Sequence, residues 1–155
     1  IWITLTGQPN VSSYPYKKNW FWLMQRISAL VIVLFMIFHV FSLKYGWFGT
    51  SLSFDPHAAA FTVHRHMAVS WFIPWVVYPL GILASCYHLA NGLWTAGITW
   101  GLTVSAGAQR RWGYASAGLF VVMLACGFTA LVAATTMTPA RAIAPTATLT
   151  GAVAK

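Results

Sequence analysis

The sequence predicts an all-α transmembrane helical bundle, on three observations. Three runs, 20–43, 71–100 and 112–134, are apolar and long enough to cross the hydrocarbon core, which takes about 20 residues of helix. Of the 155 residues, 59% are hydrophobic and only 6% are charged, too few polar side chains to cover a soluble globule. The basic residues are dispersed between the apolar runs and not gathered on one face. Despite a formal charge of +8, that is the pattern of membrane-surface loops and not of a nucleic-acid footprint. A multi-pass protein of the lipid bilayer, with no nucleic-acid partner, is therefore expected.

Taken in order, residues 1–6 (IWITLT) read as the end of a truncated transmembrane helix. Residues 7–19 have the Gly, Pro, Asn and Ser content of a loop. The first complete span, 20–43, carries Arg26 near its start and His39 near its end, and the 17 positions between Arg26 and Lys44 are uncharged. A loop at 44–70 holds His57, His64 and His66. The span at 71–100 is uncharged throughout and has His88 well inside it. Pro74 lies in its first turns, where a missing N–H matters little, while Pro79 is expected to kink it. Residues 101–111 form a polar return. The span at 112–134 carries Ala115, Ser116, Ala117, Gly118, Gly127 and Ala130, small residues that let helices or a flat cofactor approach closely. Residues 135–155 are rich in Ala, Thr and Pro and are expected to form a weakly ordered tail.

Lys17, Lys18, Arg26, Arg110 and Arg111 fall on one side of such a bundle, and Lys44 and Arg65 on the other. The excess places the loops at 7–19 and 101–111 in the cytoplasm and the loop at 44–70 outside. Cys86 and Cys126 sit in apolar segments without CxxC spacing and read as packing residues. The single acid, Asp55, excludes a pair of acid and base carboxylates, and there is neither a P-loop nor a dinucleotide fingerprint.

The chemistry left to this chain centres on His39 and His88, the two histidines inside spans. An ionisable residue at membrane depth is costly and is by default a functional-site hypothesis. One use is axial ligation of haem iron between facing helices; the other reading is a histidine hydrogen-bonded to its neighbour. His39 lies 19 residues from Trp20 and His88 lies 12 from Trp100, roughly 28 Å and 18 Å at 1.5 Å per residue. If both bind iron, those depths point to two different haems and not to one shared between them. His57, His64 and His66 have no Cys or paired carboxylate to complete a metal site. They read as solvated loop histidines, with proton exchange as a weaker alternative.

The runs KNWFWLMQRISALVIVLFMIFHVF (18–41) and YHLANGLWTAGITWGLTVSAGAQRR (87–111), with their HLANGLW and ITWG strings, resemble the di-haem cytochrome b membrane-anchor subunit of succinate dehydrogenases and fumarate reductases. That resemblance implies five transmembrane helices, of which this chain holds the end of the second and the third to fifth. It implies two haem b groups, with His39 as a ligand of the distal haem and His88 of the proximal haem, their second ligands lying on helices outside this chain. It further implies a flavoprotein and an iron–sulfur subunit as partners, which carry the dicarboxylate chemistry, and a quinone, menaquinone being the more frequent. The setting implied is a bacterial cytoplasmic membrane. Trp22 and Arg26 become candidates for a proximal haem propionate, with interfacial-belt Trp and positive-inside Arg as the plain reading. Gln25 and Ser28 are weaker candidates at the same edge. Two other classes stay open: a cytochrome b anchor of a hydrogenase or formate dehydrogenase, and a non-redox structural membrane protein.

Overall fold

The computed structural model describes residues 17–48 and 54–136. The expected helix end at 1–6, most of the first loop, residues 49–53 and the tail from 137 lie outside the described residues. Helix α1, Lys17–Tyr45, runs for 29 residues. A three-residue turn, Pro56–Ala58, is opened by Asp55, whose carboxylate accepts from the His57 N–H at 2.9 Å. Helix α2 is Ala59–Ala68, α3 is Tyr78–Thr99 and α4 is Ala106–Thr136. Among the described residues there is no strand, and the expected all-α class holds.

Among the described residues three helices are long and apolar enough to cross a membrane: Asn19–Tyr45, Ile73–Thr99 and Ala106–Thr136, of 27, 27 and 31 residues. At 1.5 Å per residue each exceeds the roughly 30 Å of hydrocarbon, a length that tilt accommodates. Large apolar side chains such as Leu30 and Leu34 on α1 and Val121 and Val122 on α4 point outward, as lipid-facing side chains do.

Three expectations change. The segment at 44–70 is not only loop, because α2 occupies its second half. The return at 101–111 is shorter, since α4 begins at Ala106. Thr135 and Thr136, placed at the start of the tail, are the last turn of α4. The effect of Pro79 is local widening of the helix. Residues Ile73–Val77 form a π-helical turn whose closing bond runs from the Tyr78 N–H to the Ile73 carbonyl, immediately before Pro79. The proline ring clashes with the carbonyl four residues back and offers it no donor, and a wide turn relieves both problems.

The described residues form two compact units. The first, 17–35 with 80–127, is held by a reciprocal clasp between α3 and α4. The Trp112 indole N–H donates to the Leu93 carbonyl at 3.1 Å, and the Trp94 indole N–H donates to the Gln109 carbonyl at 3.4 Å. Each accepting carbonyl precedes a glycine by four residues: Gly97 after Leu93, Gly113 after Gln109. In a helix the side chain at i+4 stands over the carbonyl at i. A glycine there uncovers that oxygen, and a Cβ at Gly97 would run into the Trp112 ring. Gly127 similarly admits the Ile82 side chain, whereas Gly118 has nothing near it.

The second unit comprises 36–48, 54–79 and 128–136. Here α2 lays His66 against the rings of Phe38 and Tyr78, at centroid distances of 6.1 and 6.0 Å. His64 Nδ1 lies 3.2 Å from the Ala134 carbonyl, which only accepts, so the imidazole donates and ties α2 to the end of α4.

Candidate functional site

Each unit contains one of the two histidines of the spans. In the first unit His88 sits on α3 against α1. Its Nδ1 is 3.2 Å from the Gln25 carbonyl oxygen and 3.2 Å from Ser28 Oγ. A carbonyl oxygen has no proton to give, and the Ser28 hydroxyl already donates to that same carbonyl at 3.0 Å. Nδ1 must therefore carry the proton and donate to both oxygens, which assigns the Nδ1–H tautomer. The lone pair is left on Nε2, which has no partner among the described residues. This is how a metal-binding imidazole is commonly held: one nitrogen fixed to protein oxygen, the other presented for coordination.

The surrounding turn is fixed as well. Gln25 Nε2 donates to the His88 carbonyl at 3.1 Å, and Asn91 Nδ2 donates to Gln25 Oε1 at 2.8 Å. Gly92 gives Gln25 room, since a Cβ there would lie 3.2 Å from Gln25 Nε2. Gln25 and Ser28 thus bond His88 itself. The hydrogen bond from Asn91 to Gln25 was not anticipated from the sequence.

Trp22 and Arg26 are brought together one turn away. The Arg26 guanidinium lies over the Trp22 ring, 3.6 Å from its centroid, and both line a cavity of about 500 Å³ with Gln25, Asn91, Trp94 and Thr95. Arg26 Nη1 is buried and has no hydrogen-bond partner among the described residues. A buried guanidinium nitrogen is expensive to leave unpaired, so the cavity wall offers a vacant donor suited to an anionic oxygen.

In the second unit His39 Nδ1 lies 3.1 Å from the Tyr78 hydroxyl, with ring centroids 5.7 Å apart. Tyr78 had escaped notice because it reads as one aromatic among many in its span. The three loop histidines separate. His57 is exposed, His64 is half-buried on Ala134, and His66 is 1% exposed with both ring nitrogens unpartnered among the described residues. The expectation of solvated side chains therefore fails for His64 and His66. A ten-residue helix with a buried face was not visible in a segment so mixed. Among the described residues no group of three or more His, Cys, Asp or Glu gathers to hold a metal ion.

Burial, and secondarily the nearby His39, pushes the His66 imidazole below its ordinary value of 6.5. The folded chain keeps this group neutral, while an unfolded or opened chain takes up a proton below that value. Stability is thus fully present above pH 6.5 and falls as the pH drops below it. Tyr78 and His39 are the titratable groups facing it. The protection factors of the residue 59–68 amides, corrected for the intrinsic pH dependence of exchange, should be lower at about pH 5.5 than at about 7.5, and His66→Phe should abolish the difference. The same difference persisting in the variant would contradict this origin.

With that geometry in place, one comparison with known proteins is informative. The chain is 29% identical, over 134 residues, to the succinate dehydrogenase cytochrome b558 subunit of Bacillus subtilis (strain 168). The alignment covers 86% of this chain and 62% of the relative, so the chain spans less than two thirds of that protein's length. No family model matches the chain. No solved structure matches it either. The likeness supports the resemblance carried by the two quoted runs and accords with three membrane-crossing helices.

Proposed function

We propose that this chain is a haem b-binding membrane subunit that passes electrons between an iron–sulfur subunit and a quinone in a succinate:quinone oxidoreductase. The observation that carries the proposal is the state of His88: its Nδ1–H is fixed to Gln25 and Ser28, so its Nε2 lone pair is presented. The unpartnered Arg26 Nη1 fits the propionate of the same group. His39 is the second ligand residue, and on this reading its Nδ1–H donates to the Tyr78 oxygen. A further ligand to each iron would come from polypeptide outside this chain.

Haem b, when bound, supplies a reversible one-electron iron couple. The chain's own residues do the rest. Gln25 and Ser28 hold the His88 tautomer and ring plane, which raises the basicity of Nε2. Arg26, stacked on Trp22, places positive charge where a carboxylate would otherwise be desolvated alone. The apolar faces of the spans keep water from the couple. The dicarboxylate reaction is assigned to the flavoprotein subunit, since one Asp supplies no acid and base pair. Menaquinone as the acceptor, and the bacterial cytoplasmic membrane as the location with the 101–111 side inward, follow from the resemblance and from the loop charges.

The test is a pyridine haemochrome spectrum of the purified complex with haem counted per chain. Two haem b are expected. A colourless preparation would overturn the proposal and leave a structural membrane protein.

A further inference from the structure

A second cavity in the first unit, of about 510 Å³, is separate in its chemistry from the Trp22 and Arg26 cavity. Its walls come from α1, α3 and α4 and are almost wholly apolar, with Ala90, Ala117 and Phe120 among them. Polar groups of Tyr87, Asn91, Trp94 and Tyr114 also reach the lining, and Arg110 and Ser116 are set apart from them by charge and by an unmet hydroxyl. Arg110, in the second turn of α4, is exposed and is the one charged residue of the lining. Ser116 is 4% exposed, and its hydroxyl has no hydrogen-bond partner among the described residues.

The order along α4 matters. Arg110, Ser116 and Phe120 are spaced by six and then four residues, so the cavity runs from a cation at the helix start through a buried hydroxyl about 9 Å in to an aromatic floor about 15 Å in. Cation, hydrogen-bond donor and apolar slot, in that sequence along the membrane normal, are the complement of phosphate, glycerol ester and acyl chain. A neutral amphiphile would use the slot and the hydroxyl but leave the cation idle, and no acid in the lining neutralises Arg110. Basic pockets between transmembrane helices bind anionic headgroups on this physical basis.

We infer that this cavity is a binding site for one anionic phospholipid, with Arg110 on the phosphate, Ser116 on an ester carbonyl and an acyl chain along Ala117 and Phe120. This does not depend on haem binding.

The test is native mass spectrometry of the purified, delipidated complex titrated with dioleoylphosphatidylglycerol or dioleoylglycerol, which has the same esters and chains and no phosphate. One phosphatidylglycerol per chain is expected to bind about tenfold more tightly than dioleoylglycerol, the ratio one charge-assisted contact supports. Arg110→Gln should erase that preference and Arg110→Lys should keep most of it. Ser116→Ala should weaken both lipids a few-fold, and Ala117→Leu, which fills the slot, should remove the bound lipid. Arg111→Gln, next in the chain but outside the lining, should change nothing. Equal affinity for the two lipids would overturn the inference. So would an equal loss in Arg111→Gln, which would mean diffuse surface charge, or a cavity already filled by another helix of the complex so that no lipid binds.

Discussion

His88→Ala should lower the haem b content of the purified complex from two per chain to one, with His39 and its haem retained. The Gln25 carbonyl cannot donate and the Ser28 hydroxyl has already spent its proton, so Nδ1 of His88 carries one and Nε2 holds the lone pair. Alanine removes the only nitrogen on that turn able to coordinate iron, and neither Gln25 nor Asn91 replaces an imidazole. Ser28→Val should act in the same direction and less strongly, because it disturbs only the group that orients the ring; an outer-shell loss of about 10- to 100-fold in affinity is the usual scale. The readout is the pyridine haemochrome content of each variant against wild type. Unchanged haem in His88→Ala would refute its role as a ligand, and loss of both haems would mean that the two histidines are not independent.

Gly97→Ala should destabilise the first unit more than any exposed apolar-to-alanine change on the same helices. The added methyl runs into the Trp112 indole, which has to withdraw from the Leu93 carbonyl it bonds at 3.1 Å. Overpacking of this kind costs roughly 1–3 kcal/mol. The lost hydrogen bond adds about 1 kcal/mol. Gly113→Ala should cost less, since a Cβ there would meet Trp94 Nε1 only at 3.3 Å. The check is thermal unfolding in detergent of Gly97→Ala, Gly97→Ala with Trp112→Leu, and Trp112→Leu alone. The double variant should lose little more than Trp112→Leu alone, because the ring that the methyl strikes is gone. Additive losses would show that Gly97 and Trp112 are not coupled and that the clasp is incidental.

These two cases also show what was legible in the chain beforehand. The three spans were, because a bilayer imposes a length and an apolarity that a run such as 27–43 displays without any structural context. His39 and His88 were legible for the same reason: in a segment with no other ionisable group, an imidazole stands out. Their partners were harder. Gln25 and Ser28 were singled out for hydrogen bonding, but their bonds to His88 were not foreseen, since facing residues on two helices depend on rotation about each axis, which α1 with its nearly all-round apolar surface does not encode. The clasp was within reach, as Trp94 followed by Gly97 and Trp112 followed by Gly113, but small residues were read as a general licence for close approach. Gly97 and Gly113 carry it, while Gly118 faces open space. Burial of His66 was invisible because α2 owes its position to Phe38 and Tyr78, on segments distant in sequence.

The account rests most heavily on electrons entering this chain from succinate and leaving it to a quinone. Anaerobic addition of succinate to the purified complex, followed in the α-band of haem b, examines that step directly. The account predicts reduction of haem b by succinate and reoxidation on adding a menaquinone analogue, with His88→Ala interrupting the transfer. Haem b that stays oxidised under succinate yet is reduced by hydrogen or formate would contradict it and assign the chain to a different respiratory complex.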